Sequence, residues 1–188
     1  MLARQTVKTM NCNLTAKLQS LRHSVAVIGY GNELRSDDAI GPQVARAVQA
    51  WGVPSVHSLA VHQLTPELAE TLAEAEMAIF VDACITPAAP PAADGGGEDG
   101  PSVRVLPLEP AGADASIGGH TSDPRTLLAL AGLLYGHAPQ AWLVTVPGVN
   151  FDLGEELSPV AENGMADALE EIDYLIRNSL SATEVAAQ

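Results

Sequence analysis

The sequence predicts an α/β fold: a single three-layer domain with a five-stranded, mostly parallel twisted sheet and helices on both faces. Apolar runs typical of buried strands alternate along the chain with segments whose apolar residues recur at helical spacing. The chain has 188 residues, of which 47% are hydrophobic and 17% charged, and these values suit one compact domain with a sizeable core. The expected strand order is 2-1-3-5-4, with strand 4 antiparallel.

The first half of the domain alternates strands and helices. Residues 25–28 are an apolar run bounded by Gly29, which predicts a core strand of a parallel sheet. A helix at 40–51 and a second strand at 55–61 follow. Thr65 is predicted to cap a helix that starts at Pro66 and runs to about residue 76. The third strand, 78–81, is short and apolar and ends directly at Asp82.

The second half contains two irregular segments. Residues 86–101 are rich in Pro, Ala and Gly, which predicts a surface loop. Because this segment supplies no helical crossover, strand 103–108 is expected to be an antiparallel edge strand. After the second irregular stretch, Ser122 is predicted to cap a helix at 123–135, and strand five follows at 142–146. Ser158 and Pro159 open the final helix, which is expected to end near residue 180.

Charge and composition limit the classes of partner. The formal net charge is −14, and four of the nine basic residues precede residue 24, whereas the first acidic residue is Glu33. The acidic body therefore argues against binding nucleic acid or an anionic membrane. Two cysteines, Cys12 and Cys84, form no disulfide framework. No apolar stretch reaches the length of a transmembrane helix.

These features lead to an expected organisation of the chain. Residues 1–23 are predicted to be a basic, disordered arm, although a transit peptide or an upstream start site explains their composition equally well. Residues 24–181 are expected to form the domain, and residues 182–188 a frayed tail. We expect a cytoplasmic monomer.

A glycine turn follows the first strand in the segment GYGNELRSDDAIG, residues 29–41. Gly29 and Gly31 allow a sharp turn and a close backbone approach at the carboxyl end of the strand, where open α/β sheets bind ligands. Nucleotide binding is disfavoured, because the third glycine of a dinucleotide fingerprint is replaced by Leu34 and no P-loop lysine is present. Asp37 and Asp38 would also repel a phosphate.

Three polar residues are predicted to meet at this edge of the sheet. Asp38 follows strand one, Asp82 ends strand three, and His120 precedes the third major helix. Two carboxylates and an imidazole suit a divalent first-row metal ion with open coordination positions. Each residue also has an ordinary interpretation: a helix cap for Asp38, a turn hydrogen bond for Asp82 and a solvated loop residue for His120.

Two neighbouring residues complete the candidate set. Asp37 is adjacent to Asp38 but should point elsewhere, and a capping role is predicted for it. His62 follows strand two and is a candidate for the same crevice.

The chain resembles the hydrogenase maturation protease family, the endopeptidases that trim the carboxyl-terminal extension of the large subunit of nickel-iron hydrogenases. The resemblance rests on GYGNELRSDDAIG, on IFVDA at residues 79–83, and on the histidine of SIGGHT at residues 116–121. The strand WLVTV and the long helix that follows Leu157, Ser158 and Pro159 also fit. Together these motifs cover roughly residues 25–180.

The resemblance implies a nickel-dependent endopeptidase whose nickel-contacting and catalytic residues are Asp38, Asp82 and His120. It also implies that nickel is already inserted in the hydrogenase large-subunit precursor, so that none is tightly bound in the isolated protein. Cleavage would follow the cysteine-containing metal-binding motif of that precursor. The substrate's own cysteines would complete the coordination.

The expected substrate crevice and the turn beside it depart from the family pattern at two places. Its predicted lining residues are Gly29, Gly31, Asn32, His62, Gln63 and Thr65. The segment HQLTPE, residues 62–67, stands where many relatives have a glycine-rich loop, and it resembles the branch that serves bidirectional NAD(P)-linked hydrogenases. Ala39 also replaces a common glycine.

Metal-assisted peptide hydrolysis is the mechanism that these residues favour, because no serine or cysteine has a partnered base. Two alternatives remain at this point. One is a non-enzymatic chaperone that binds nickel and checks metal loading of the hydrogenase subunit. The other is an autonomous metallohydrolase that acts on small substrates.

Overall fold

A computed structural model describes residues 25–85, 102–112 and 123–186 of this chain, with side chains as far as residue 179. The strands are β1 Val25–Tyr30, β2 Val56–Val61, β3 Met77–Ile85, β4 Arg104–Leu108 and β5 Gln140–Gly148. The helices are α1 Ile40–Ala50, α2 Leu68–Glu74, α3 Pro124–Tyr135 and α4 Pro159–Ala186. The predicted arm, residues 1–23, and the predicted loop, residues 86–101, lie outside the described residues.

The five strands form one sheet in the order β2-β1-β3-β5-β4. All neighbouring pairs are parallel except β4 and β5, which are antiparallel. The predicted fold class, strand order and antiparallel edge strand are therefore confirmed. No helix in the described part of the chain is long and apolar enough to cross a membrane.

Each face of the sheet carries its own apolar core, because successive strand residues point to opposite faces. On one face, Val27 and Ile79 pack with Val44 of α1 and Ile172 of α4. On the other face, Ile28 and Phe80 pack with Leu72 of α2 and Leu128 of α3. Burial on both faces explains why the central strands are continuous apolar runs.

Strand β3 is longer than predicted, and this changes the position of Asp82. The strand continues to Ile85, so Asp82 lies within it rather than at its end. Pairing of β3 with β1 stops at Gly29 and Val81, whereas pairing with β5 continues to Ile85 and Gly148. The β1 side of the strand is therefore open from Asp82 onward, and this opening is where the candidate site lies.

Two helix starts differ from prediction. Helix α2 begins at Leu68, and Thr65 does not cap it through its side chain. Thr65 instead contributes its carbonyl oxygen, which accepts from the Leu68 amide at 3.1 Å in a tight turn before the helix. Helix α3 begins at Pro124, and its cap is Asp123, whose carboxylate accepts from the amide of Arg125 at 3.0 Å.

Helix α4 ends later than predicted. It opens after Ser158 as expected, but it runs to Ala186 and includes most of the segment predicted to be a frayed tail. No Pro or Gly occurs between residues 165 and 186, so the sequence supplies no residue that stops a helix there.

Candidate active site

Glycines let helix α1 start directly against the ends of β1 and β3. A Cβ atom on Gly29 would lie 1.9 Å from the carbonyl oxygen of Gly41, and one on Gly41 would lie 2.3 Å from that of Tyr30. Gly31 has φ +146°, and a Cβ there would lie 1.9 Å from the carbonyl oxygen of Asp38. Side chains are therefore excluded at these positions, and the chain after β1 folds tightly back on itself.

This turn holds Asp38 at the carboxyl edge of the sheet. Asp38 is partly buried, and its Oδ2 accepts a hydrogen bond from the backbone amide of Asn32 at 2.9 Å. The Asn32 side chain in turn accepts from the amide of Leu34 at 3.0 Å. Asp38 does not cap α1 through its side chain, since the N-cap of that helix is Ala39. Its carboxylate instead helps to define the turn.

Asp82 lies on the stretch of β3 that does not pair with β1, is partly buried, and interacts electrostatically with Asp38. Burial raises the pKa of the Asp82 carboxyl to about 6, and the charge of Asp38 contributes to the increase. Hydrogen bonds from the Tyr30 hydroxyl and the Ala83 amide act in the opposite direction. The structure thus brings the two predicted carboxylates into one site.

Tyr30 is a member of this site that the sequence interpretation missed. Burial and the negative charges of Asp82 and Asp123 raise the pKa of its phenol well above its usual range. The hydroxyl therefore keeps its proton and donates it in a hydrogen bond to Asp82. The register could have revealed this contact: Gly29 pairs with Val81, so the next residue of β1 adjoins Asp82.

The coupled carboxylates favour a cation. Two acids close together in a partly buried site repel each other, and a positive ion would lower that cost. Among the described residues, no three His, Cys, Asp or Glu side chains are arranged to hold a metal ion. His120, the third predicted ligand, lies outside the described residues. The three-ligand site therefore stays a prediction, of which the structure describes the two carboxylates.

The segment after β2 lies at the same edge of the sheet. The Gly31 amide donates to the carbonyl oxygen of Val61 at 3.3 Å, which places the end of β2 beside the glycine turn. His62 and Gln63 follow directly and are exposed, while Thr65 is partly buried. These predicted crevice residues are thus accessible from the edge that carries Asp38.

Asp37 has a different role from the predicted helix cap. It is fully buried, and its Oδ2 accepts from the amides of Val149 and Asn150 at 2.8 and 2.9 Å. The Ser158 amide donates to Oδ1 at 2.6 Å and the Ser158 hydroxyl to Oδ2 at 2.8 Å. Burial raises the pKa of Asp37, but these hydrogen bonds outweigh it and hold the pKa below its usual range.

Further backbone hydrogen bonds extend this connection, and we call the paired segments 34–37 and 148–158 the clasp. Arg35 and Gly154 form a parallel β-bridge, with the Gly154 amide donating to the Leu34 carbonyl at 2.9 Å. Ser36, at φ +45°, donates its amide to the Gly154 carbonyl at 2.8 Å. The clasp fixes the turn that carries Asp38 to the loop before α4.

Comparison with solved structures identifies the architecture. The chain superposes on "hydrogenase maturating endopeptidase HybD from E. coli" with a TM-score of 0.60 at 21% identity, over 82% of this chain and 93% of that one. This is the hydrogenase maturation protease fold. The fold recurs in the [NiFe] hydrogenase maturation protease HycI from Thermococcus kodakarensis KOD1, with a TM-score of 0.59 at 20% identity, over 87% and 99% of the two chains.

A third structure with this fold is a hydrogenase 2 maturation peptidase from Thaumarchaeota archaeon SCGC_AB-539-E09. Its TM-score is 0.56 at 22% identity, over 81% of this chain and 97% of that one. No protein-family model and no curated protein matches the chain. The likeness is therefore one of architecture across nearly the whole length of each structure.

Proposed function

We propose that this protein is an endopeptidase that removes the carboxyl-terminal extension of a nickel-iron hydrogenase large-subunit precursor after nickel insertion. The observation that carries the proposal is the pair of coupled carboxylates, Asp38 and Asp82, at the carboxyl edge of a hydrogenase maturation protease fold. The motifs of the first βα turn and of β3 support the same assignment. The acidic body suits a protein substrate that presents a cation.

The nickel belongs to the substrate in this proposal. It would be presented by the precursor and would contact Asp38, Asp82 and His120, which would place the scissile peptide bond beside them. The ion's chemistry there would be to polarise the carbonyl or to acidify a water. A site assembled from two partners explains why no protein thiolate is needed.

Asp82 has the properties of a general base. Burial gives its carboxyl a pKa raised to about 6 before the substrate's cation binds, and its two oxygens would allow one to contact the nickel while the other accepts a proton and later releases it. Water would attack the carbonyl carbon, so that a C–O bond forms, the C=O π electrons move to the carbonyl oxygen, and one water proton passes to the Asp82 carboxylate. The oxyanion would then re-form the C=O bond while the C–N bond breaks and Asp82 delivers its proton to the leaving amine nitrogen. The Tyr30 hydrogen bond orients Asp82 throughout.

The crevice residues are assigned to substrate binding. Asn32, His62, Gln63 and Thr65 would contact the precursor polypeptide beside the glycine turn. The HQLTPE form of residues 62–67 supports a precursor from the bidirectional NAD(P)-linked hydrogenases. We further propose that the enzyme acts as a monomer in the cytoplasm.

The test is incubation of purified protein with nickel-loaded precursor, followed by mass spectrometry of the precursor. We expect a mass loss at its carboxyl terminus with wild-type protein, and none with His120→Ala or Asp82→Asn. Asp167→Asn, which removes an exposed acid on α4, is the matched control and should cleave normally. Full cleavage by His120→Ala would overturn the ligand assignment.

The same experiment separates the alternatives. A loading-check chaperone would bind the precursor without any mass loss. An autonomous metallohydrolase would retain metal after purification, as measured by elemental analysis, and would hydrolyse small substrates without the precursor. Either result would refute the proposed endopeptidase.

A further inference from the structure

Two leucines on the clasp are exposed although the loops that carry them are firmly held. Leu34 is 57% exposed and Leu153 is 88% exposed. Both immediately precede the bridged residues Arg35 and Gly154. The Gly154 amide donates to the Leu34 carbonyl at 2.9 Å, so the backbones of Leu34 and Leu153 lie next to each other. We call these two exposed, neighbouring residues the leucine pair.

The leucine pair adjoins the candidate active site. The Leu34 amide donates to the Asn32 side chain, and the Asn32 amide donates to Asp38. Leu34 therefore belongs to the same turn as a proposed catalytic carboxylate. A polypeptide bound with its scissile bond at Asp38 would have the leucine pair beside this turn.

The loop around the leucine pair is acidic. Asp152, Glu155 and Glu156 are all exposed on the same loop as Leu153. Nearby Glu33 already forms a bidentate ion pair with Arg46 of α1. Arg35, also exposed, donates to the carbonyl oxygen of Phe151 at 3.1 Å and supplies one positive charge beside Leu34. Three acids against this one base leave the surroundings of the leucine pair negative, which complements an apolar side chain flanked by basic residues.

The clasp also makes the surface rigid before any partner arrives. The backbone bonds between segments 34–37 and 148–158, together with the buried carboxylate of Asp37, hold both loops in one arrangement. A preformed apolar surface binds without the entropic cost of ordering a loop. Exposed leucines on a fixed support are thus suited to docking.

We propose that the leucine pair is a docking site for the precursor polypeptide, which seats there an apolar side chain flanked by Lys or Arg. This inference rests on the proposed function for the identity of the partner. It adds a binding surface outside the carboxylate site and assigns it to affinity, with no part in the chemical step.

The test compares two double variants. Leu34→Ala/Leu153→Ala removes the leucine pair, and Leu133→Ala/Leu134→Ala is the matched control. The control leucines are 70% and 61% exposed at the end of α3, on the opposite edge of the sheet. Kd for nickel-loaded precursor is measured by biolayer interferometry in an Asp82→Asn background, and KM and kcat are measured with Asp82 intact.

We expect the leucine-pair variant to bind about ten- to a hundredfold more weakly, with KM raised and kcat unchanged. The control should change Kd by less than about twofold. Glu155→Lys/Glu156→Lys should also weaken binding and reduce its dependence on salt. Unchanged urea midpoints would show that the variants remain folded.

Several outcomes would overturn the docking site. The first two are an equal loss of precursor affinity in both double variants and an effect of the leucine-pair variant on kcat alone. The others are no binding of precursor to the wild-type protein, and a change in oligomeric state of the leucine-pair variant in place of weaker precursor binding. Binding that depends on the leucine pair without any cleavage would refute the proposed endopeptidase but retain the docking site. Cleavage of the precursor by the wild-type protein, together with an unchanged Kd for the leucine-pair variant, would refute the docking site but retain the proposed endopeptidase.

Discussion

Replacing Asp82 by Asn is expected to stabilise the folded protein at neutral pH while it abolishes peptide cleavage. The folded structure raises the pKa of this carboxyl from 3.8 to about 6, because the charged form is partly buried and faces Asp38. At ~1.4 kcal/mol for each tenfold change in proton affinity, ionisation costs the folded state up to about 3 kcal/mol. Asn carries no charge and keeps an oxygen to accept from Tyr30 and Ala83, so we expect a gain of about 1–3 kcal/mol.

The sign of this effect fixes its dependence on pH. The folded state binds the Asp82 proton more tightly than the unfolded chain does, so ionisation is destabilising. This penalty is absent below about pH 4, grows between about pH 4 and 6, and is complete above about pH 6. The free energy of unfolding of the variant should therefore exceed that of the wild type at pH 7.5 and converge on it at pH 4.

Urea unfolding followed by tryptophan fluorescence measures both proteins, since Trp142 lies in β5. Asp152→Asn removes an exposed charge and serves as the control, with a change within about 0.5 kcal/mol. A lower stability of Asp82→Asn than of the wild type at pH 7.5 would show that the Asp82 charge does not destabilise the folded protein. An equal difference in stability at pH 7.5 and pH 4 would show that the effect does not come from ionisation of Asp82.

Three further changes have outcomes of different sign or origin. Asp37→Asn should lower the free energy of unfolding by about 2–4 kcal/mol at pH 7, because four donors lose a charged acceptor. This loss of stability should shrink as the pH falls through the low pKa of the Asp37 carboxyl in the folded protein. A loss that is independent of pH in urea titrations would contradict this. Gly29→Ala should cost more than about 3 kcal/mol by urea unfolding, since its Cβ would meet backbone at 1.9 Å, whereas Gly112→Ala, with open space around it, should be near neutral. Tyr30→Phe removes a donor to the ionised Asp82 and should raise its pKa above about 6 in a carboxyl-carbon NMR titration; a lower value would exclude the hydrogen bond.

Most of the fold could be predicted from the sequence because its signals are local. Continuous apolar runs identify strands buried on both faces, and helical spacing identifies the crossovers between them. The absence of a helical segment between residues 85 and 103 was enough to predict an antiparallel β4. The predicted ends of the elements were less accurate. Strand β3 continues along β5 beyond its pairing with β1, and α4 continues because no helix-breaking residue follows.

The candidate site could be predicted only in part. Asp38 and Asp82 were found because strand order places the ends of β1 and β3 side by side. Tyr30 was missed although the parallel register points to it. Asp37 could not have been assigned from local pattern, because an acid at a helix entrance resembles a cap whether or not its partners lie elsewhere. Its donors are 112 to 121 residues further along the chain.

That separation has a consequence for how the protein is made. The clasp joins the connection between β1 and α1 to the connection between β5 and α4, so it cannot form until residues 148–158 have been synthesised and have left the ribosome. Contacts so distant in sequence also close late in folding, after the loop between them has been ordered. A nascent chain that already contains both carboxylates therefore lacks the support that fixes the turn around Asp38. Competence to act arises only when the domain is nearly complete.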